Sequence, residues 1–200
     1  MIIRNAEAAD IPAITSIYNW ALTDTDLSPV PGPVTEKSRQ EWLEGIQADG
    51  FPVFVAVSEQ SDAGVAGSTP GTILGFAGYS QLAFDALFPN TVEDTIYVSD
   101  AARGMGVGNA LLGAVVEHAR ANDYVHSIIS YIAANNEASL RLHEKHGFAI
   151  AGTLFGIGEK QGKKLDLVHL QLLLDGPSHQ ERTEAFHRAR SSSRTGSNSN

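Results

Sequence analysis

The stretch YVSDAARGMGVGNALLGAVVEHAR, residues 97–120, changes character in its middle. A β-branched and aromatic run ends at Val98, a polar joint follows, glycines stand at 104, 106 and 108, and an apolar stripe then recurs at helical spacing. A strand that runs into a glycine-rich turn and then a helix presents unpaired amide donors at the positive end of that helix, which suits a phosphate or pyrophosphate. Without Cβ atoms at Gly104, Gly106 and Gly108, the backbone can approach such an anion closely. Two phosphate-binding signatures fail on spacing. A Walker loop ends in Gly-Lys-Ser/Thr, whereas Gly108 precedes Asn109 and Ala110; a dinucleotide fingerprint needs GxGxxG and an acid closing the next strand, whereas Asp123 comes before that strand.

Outward from this stretch, the chain has 200 residues, 42% of them hydrophobic, which suffices for one well-buried domain. It has no cysteine, which excludes disulfide frameworks, thiolate nucleophiles and sulfur-ligated zinc. Its net charge of −9, from 23 acidic and 14 basic residues, sets the average surface against nucleic acid and anionic membranes. No run approaches the roughly 18 apolar residues of a membrane span, and the N-terminus lacks the basic-then-apolar order of a signal peptide, so a cytoplasmic protein is expected. The charge is unevenly placed. Between Arg39 and Arg103 there is no Lys or Arg, while Glu41, Glu44, Asp49, Glu59, Asp62, Asp85, Glu93, Asp94 and Asp100 fall there.

IIRNA reads as a short strand, and Asp10 with Pro12 opens a helix in which Ile11, Ile14, Ile17 or Tyr18, and Leu22 recur with a period near 3.6. TDTDLSPVPGPV is a loop. Thr35 is the expected N-cap of a second helix carrying Trp42, Leu43 and Ile46 and stopping at Gly50. FPVFVAV and TILGFAGYS form a hairpin about the turn region SEQSDAGVAGSTPG. Strands are expected over 95–98, 125–132, 148–154 and 166–174, and helices over 105–121 and 136–146. The class is α/β with a largely antiparallel sheet in one domain, residues 1–174. Residues 175–200, rich in Ser, Gly and Asn at their end, read as a disordered tail with at most a helical stub from Glu181 to Arg190.

Arg103-x-x-Gly106-x-Gly108 after a strand ending in Val98 resembles the pyrophosphate-binding signature of the GCN5-related N-acetyltransferases. NNEASLRLHEKHGF, residues 135–148, is similar to that superfamily's Asn-x-x-Ala-x-x-Leu-Tyr-x-x-x-Gly-Phe segment, with Asn136, Ser139, Leu142, His143, Gly147 and Phe148 on its marked positions. MIIRNAEAADIPAITSIYN, FPVFVAV, TVEDTIYV, SLRLHEKHGF and KKLDLVHLQ resemble the phosphinothricin and methionine sulfone N-acetyltransferase branch, so the resemblance spans about residues 1–174. It implies the GNAT fold, a mixed and mostly antiparallel sheet with a splayed strand pair and about four flanking helices. It implies acetyl-CoA as co-substrate, its pantetheine arm pairing with Ile96, Tyr97 and Val98 and its pyrophosphate resting on Arg103, Gly104, Met105, Gly106, Val107 and Gly108. Asn136 would hold the pantetheine arm, and Lys145 lies near its path. Glu93 matches the branch's candidate base, acting through a water, and His143 stands where the superfamily usually carries the general-acid tyrosine.

Each residue also has a plainer reading. His143 alone is a packed or surface helix residue, Glu93 a solvated carboxylate beside Asp94, Lys145 a solvated helix face, and Asp166 an acceptor that orders the last strands. His146 has no third ligand at metal spacing, so no metal is expected. The chain also departs from the branch. Where relatives carry arginines and a tyrosine, SQLAFDALFPNTVE has Gln81, Leu82 and Phe88, and Gly162, Lys163 and Lys164 replace a Gly-Arg-Trp. A carboxylate on the acceptor asks for a cationic clamp, ideally bidentate arginine. With only Arg141 or the Lys160 to Lys164 loop at hand, uncharged or cationic amines are expected to be better acceptors than free amino acids. The expected activity is acetyl transfer to the primary amine of a small molecule, an amino-acid analogue among the candidates. The alternatives are a protein N-terminal or lysine acetyltransferase and a non-catalytic acyl-CoA-binding module. The expected partners are a small-molecule amine and a second copy of the chain, with neither nucleic acid nor membrane.

Overall fold

The structure is a computed structural model that describes residues 1–25, 32–59, 69–82, 88–160 and 162–195. The centre of the proline-rich loop after Thr25, most of the turn region 58–71, and residues 83–87 with Asp85 lie outside the described residues. Strands β1 (Ile2–Asn5), β2 (Val53–Val57), β3 (Ile73–Gln81), β4 (Thr91–Val98), β5 (Ser127–Ala133), β6 (Ala149–Lys160) and β7 (Lys163–Leu173) form one sheet in the order β1-β2-β3-β4-β5-β7-β6. All neighbours are antiparallel except β4 and β5. The helices are α1 (Ile11–Thr23), α2 (Glu36–Ala48), α3 (Val107–Arg120), α4 (Glu137–Lys145) and α5 (His179–Thr195).

Two apolar layers sandwich the sheet, and the alternation of side chains along each strand assigns residues to them. One layer joins Leu111, Leu112, Val115 and Val116 of α3 to Val92, Ile96 and Val98 of β4, Ile128 and Ile132 of β5, and Val168, Leu170 and Leu172 of β7. The other joins Ile14, Ile17, Tyr18 and Leu22 of α1 and Leu43 and Ile46 of α2 to Val53, Val55, Phe76 and Tyr97. Glu93, Thr95 and Tyr97 therefore share the face of β4 that looks toward α1 and α2, and Ile129, Tyr131, Leu167 and His169 share that face further along the sheet. Asp94 looks toward α3 and α4.

The expected helix signals operate. Thr35 caps α2 by accepting from the Ser38 N–H at 3.1 Å. Asp10, in a 3-10 turn before α1, instead takes the Arg4 guanidinium through both carboxylate oxygens, at 2.7 and 2.8 Å.

The feature that positions the site is the β4–β5 junction. Parallel pairing runs only through Thr91, Val92 and Glu93, opposite Ser127, Ile128 and Ile129. Beyond Glu93, β4 stays paired to β3 as far as Val98, while β5 continues against β7. The two strands part, and one backbone edge of Asp94 to Val98 faces the opening.

Two expectations are revised. The strands expected over 148–154 and 166–174 are longer and form one extended hairpin, in which Asp166 Oδ1 accepts from the Gly156 N–H at 2.7 Å across a bulge. In the segment beyond residue 175, expected as a disordered tail with at most a helical stub from Glu181 to Arg190, the helix runs further, as α5 over His179–Thr195. Its start is held locally, with Glu181 accepting from the Ser178 N–H and hydroxyl and Arg188 paired with Glu184, so a polar helix forms without an apolar stripe to bury.

Candidate active site

The opening between β4 and β5 leads into a cavity of about 380 Å³. Nine of the eleven residues expected to hold the cofactor line it: Ile96, Tyr97, Val98, Arg103, Gly104, Gly106, Val107, Gly108 and Asn136. Met105, 42% exposed, and the exposed Lys145 are not among the lining residues. Ala21 of α1 and Thr25 just beyond it, Ala102, Asn109 of α3, and Ala138, Ser139 and Leu142 of α4 complete the wall. The α1 contribution carries no local signal in the sequence, because it arises only when that helix is laid across the sheet.

The glycine loop is shaped as an anion cradle. Gly104 and Gly106 have φ of 76° and 80°, the left-handed region that side chains resist, and a Cβ at either would meet nothing within 4 Å. Gly106 is the N-cap of α3, and no side chain caps its first-turn amides. Those donors and the positive end of a 14-residue helix point at the cavity. Arg103 lies at the rim, its guanidinium 4.4 Å above the Trp20 ring and 3.8 Å from Asp100. Asn136 caps α4, accepting from the Ser139 N–H at 3.2 Å. On β5, Ser130 is the next position after the last paired residue, and its buried hydroxyl has no hydrogen-bond partner among the described residues. An open strand edge and uncapped helix amides fit a long acyl carrier with a pyrophosphate at one end.

The two expected proton-transfer residues flank the point where the strands separate, on opposite faces of β4. Glu93 is half-buried and meets no hydrogen-bond donor among the described residues. Burial, and then the charge of Asp94, push its carboxyl above the ordinary carboxylate range. Tyr131 shares that face, its ring edge-on to His169 at 4.7 Å; burial, and then the charge of Glu93, raise the phenol. Sequence reasoning missed both Tyr131 and His169, although strand alternation with Glu93 as reference selects them.

His143 is 1% exposed and Asp94, its partner, has a side chain 4% exposed. The ring nitrogens are 2.9 Å from Asp94 Oδ2 and 2.8 Å from the Ser139 carbonyl oxygen, and Phe148 packs edge-on at 5.0 Å. Burial alone would favour the neutral ring, but the Asp94 hydrogen bond and charge and the Ser139 carbonyl outweigh it, so the imidazole is pushed up. His143 thus stands one layer behind Ser139 and Leu142 in the cavity wall. His146, by contrast, is pushed down by burial and by the charges of Lys145 and His143. Among the described residues no three His, Asp or Glu side chains cluster as a metal site, and no helix is long and apolar enough to cross a membrane.

Comparison with known proteins agrees with this geometry. Residues 14–148 match the Acetyltransferase (GNAT) family. The chain is 39% identical over 173 residues to the L-methionine sulfoximine/L-methionine sulfone acetyltransferase of Pseudomonas paraeruginosa, an alignment covering 86% of this chain and 94% of that one. A putative acetyltransferase of Salmonella typhimurium, solved with its cofactor acetyl-CoA, superposes with a TM-score of 0.77 at 36% identity, covering 89% and 96% of the two chains. A phosphinothricin acetyltransferase of Sinorhizobium meliloti in complex with acetyl-CoA superposes with a TM-score of 0.78 at 29% identity, covering 89% and 93%. The match over residues 14–148 and the overall superposition on acetyl-CoA complexes agree, and this chain is a member of the GNAT family of acetyltransferases.

Proposed function

We propose that the protein transfers the acetyl group of acetyl-CoA to the primary amine of an amino acid or amino-acid analogue. The observation that carries this reading is Glu93, a half-buried carboxylate with raised proton affinity and no hydrogen-bond donor among the described residues, at the point where β4 leaves β5. Raised proton affinity brings a carboxylate toward the neutral range in which a general base is most effective. Acetyl-CoA supplies the activated acetyl group; Ile96, Tyr97, Val98, the Arg103 to Gly108 loop and Asn136 hold it. The amine approaches from the α1 and α2 side, over Glu93, Tyr131 and His169, and loses its proton to Glu93 directly or through a water. His143, buried against Asp94 and with its proton affinity raised, is the proton source for the leaving sulfur.

Arg39 supports a carboxylate-bearing acceptor. From α2 its guanidinium stacks 4.6 Å over Tyr18 and 4.9 Å over Trp42, and its Nε is buried with no hydrogen-bond partner among the described residues. Tyr18 in turn packs edge-on against Tyr97 on the Glu93 face of β4. The cations that sequence reading favoured are engaged elsewhere: Arg141 with Glu137 at 2.9 Å and Lys164 with Glu159 at 3.4 Å. An Arg39→Gln variant should raise KM for a free amino acid by about ten- to a hundredfold, the loss of a charge-assisted hydrogen bond. KM for the corresponding amide, which has no carboxylate to hold, should stay within about twofold. An equal loss on the amide would remove Arg39 from acceptor recognition.

The protein is further read as cytoplasmic and as a homodimer. β6 is an edge strand that exposes Ile150, Leu154, Phe155 and Ile157, with Phe155 80% exposed, a strip that a second copy would cover. Sedimentation of the wild type beside Phe155→Glu tests the assembly. A dimer that the charge converts to monomer is expected, and a wild-type monomer contradicts it.

A further inference from the structure

His143 lies between two acceptors, and that fixes its proton count. An ionised Asp94 and the Ser139 carbonyl accept but do not donate, so the ring bonds to both only with a hydrogen on each nitrogen. Moving the Nε2 hydrogen onto Asp94 leaves the count for the pair unchanged. The pair stores one proton more than a neutral imidazole beside a carboxylate. The ring, 1% exposed, does not line the cavity, but the Ser139 hydroxyl lies 3.4 Å from Nδ1, and Ser139 does line it. The shortest way out for the stored proton runs through that hydroxyl.

We propose that Asp94, His143 and Ser139 form a proton-delivery chain: Asp94 holds the imidazole doubly protonated, and the Ser139 hydroxyl carries a proton from Nδ1 into the cavity to the departing sulfur. The proposal rests on the reading of His143 as the acid. Asp94 is a positioning residue, and Ser139 is the group that meets the reacting atoms. The same three side chains in this order also suggest a nucleophilic serine. That role needs a bare Nδ1 to act as base, and here Nδ1 carries the hydrogen directed at the Ser139 carbonyl. The chain therefore runs outward, from acid to cavity.

The step balances. The amine lone pair forms the C–N bond, the C–S bond breaks with its pair on sulfur, sulfur takes the Ser139 hydroxyl hydrogen, and the oxygen takes the Nδ1 hydrogen. The surplus proton on the new amide nitrogen passes to Glu93. One proton leaves nitrogen and one reaches sulfur, and exchange with water resets Glu93 and His143.

The pH dependence separates this chain from a merely structural pair. The titratable groups about His143 are Asp94 from β4 and His146 from its own helix; Phe148 presents only a ring edge, and Glu93 lies on the opposite face of β4. Activity should rise as Glu93 ionises, at a pH above the ordinary carboxylate range, and fall as His143 loses its proton, above the ordinary imidazole range. The Asp94 charge raises both groups, so Asp94→Asn should slide both limbs of the kcat profile toward acid.

The experiment is the pH profile of kcat, with KM for acetyl-CoA, for the wild type, Asp94→Asn, Ser139→Ala, Ser139→Thr and His143→Gln. Ser139→Ala should lose about tenfold to a hundredfold in kcat with KM for acetyl-CoA within about twofold, and Ser139→Thr, which keeps a hydroxyl, should regain most of it. Asp94→Asn should show the acidward slide. A Ser139→Ala enzyme with wild-type kcat, or an Asp94→Asn profile scaled down without moving, overturns the chain even when His143→Gln is impaired. Wild-type kcat in His143→Gln overturns the acid reading on which the chain rests. Should Asp94→Asn not fold, the Ser139 pair decides alone.

Discussion

Gly106→Val should raise the dissociation constant for acetyl-CoA by about tenfold or more, a loss of about 1.4 kcal/mol at least, in a protein that still folds. Gly106 holds φ of 80° as the N-cap of α3, and a Cβ built there meets nothing within 4 Å. The interior is therefore undisturbed, and the new side chain projects where a pyrophosphate must approach the first-turn amides. A β-branched residue in the left-handed region also costs about 1–2 kcal/mol in backbone strain, borne by the loop that forms the cradle. Gly106→Ala should fall between the two, because it shares the strain but adds only a methyl group. Isothermal titration measures the affinities and a thermal melt checks the fold. A folded Gly106→Val protein that binds acetyl-CoA as the wild type does would falsify the phosphate-cradle reading.

The second large effect belongs to Glu93. Replacement by Gln keeps the shape of the side chain, removes its capacity to take a proton, and should lower kcat by about 100- to 10,000-fold. Acetyl-CoA affinity should hardly change, since Glu93 is not among the residues lining the cofactor cavity. Because burial and Asp94 raise the Glu93 proton affinity, the wild-type rate should climb through a pH above the ordinary carboxylate range, and that limb should vanish in the variant. Steady-state thiol release over a pH series measures both. Wild-type turnover in Glu93→Gln would transfer the base to Tyr131 or His169, the other titratable groups identified on that face.

Much of this was legible before any coordinates, for reasons that are local. The strand-turn-helix sequence at Val98 to Gly108 announces the anion cradle because left-handed backbone and uncapped amides depend on the residues themselves. Thr35 announces its helix because an N-cap bonds three residues ahead. What stayed hidden depends on partners distant in the chain. Asp94 reads as one more acid beside Glu93 until α4 delivers His143 to it, 49 residues later. Arg39 reads as a surface cation until Tyr18 and Trp42 sandwich its guanidinium. The placement of β7 between β5 and β6 follows from pairing and not from either strand's composition. Only part of α5, the stub from Glu181 to Arg190, was legible, because its stabilisation is polar and local and a search for apolar stripes passes over it.

The central claim is acetyl transfer from acetyl-CoA to a small amino-acid-like amine. Thiol release, with mass detection of the acetylated product, should be followed across L-methionine sulfone, phosphinothricin, their amides, simple alkylamines and peptides. One acetylated amine is expected for each thiol released, with the free amino-acid analogues among the best acceptors and their advantage over the amides lost in Arg39→Gln. Thiol release independent of any amine, or acetylation confined to peptides, would contradict acetyl transfer to a small amine.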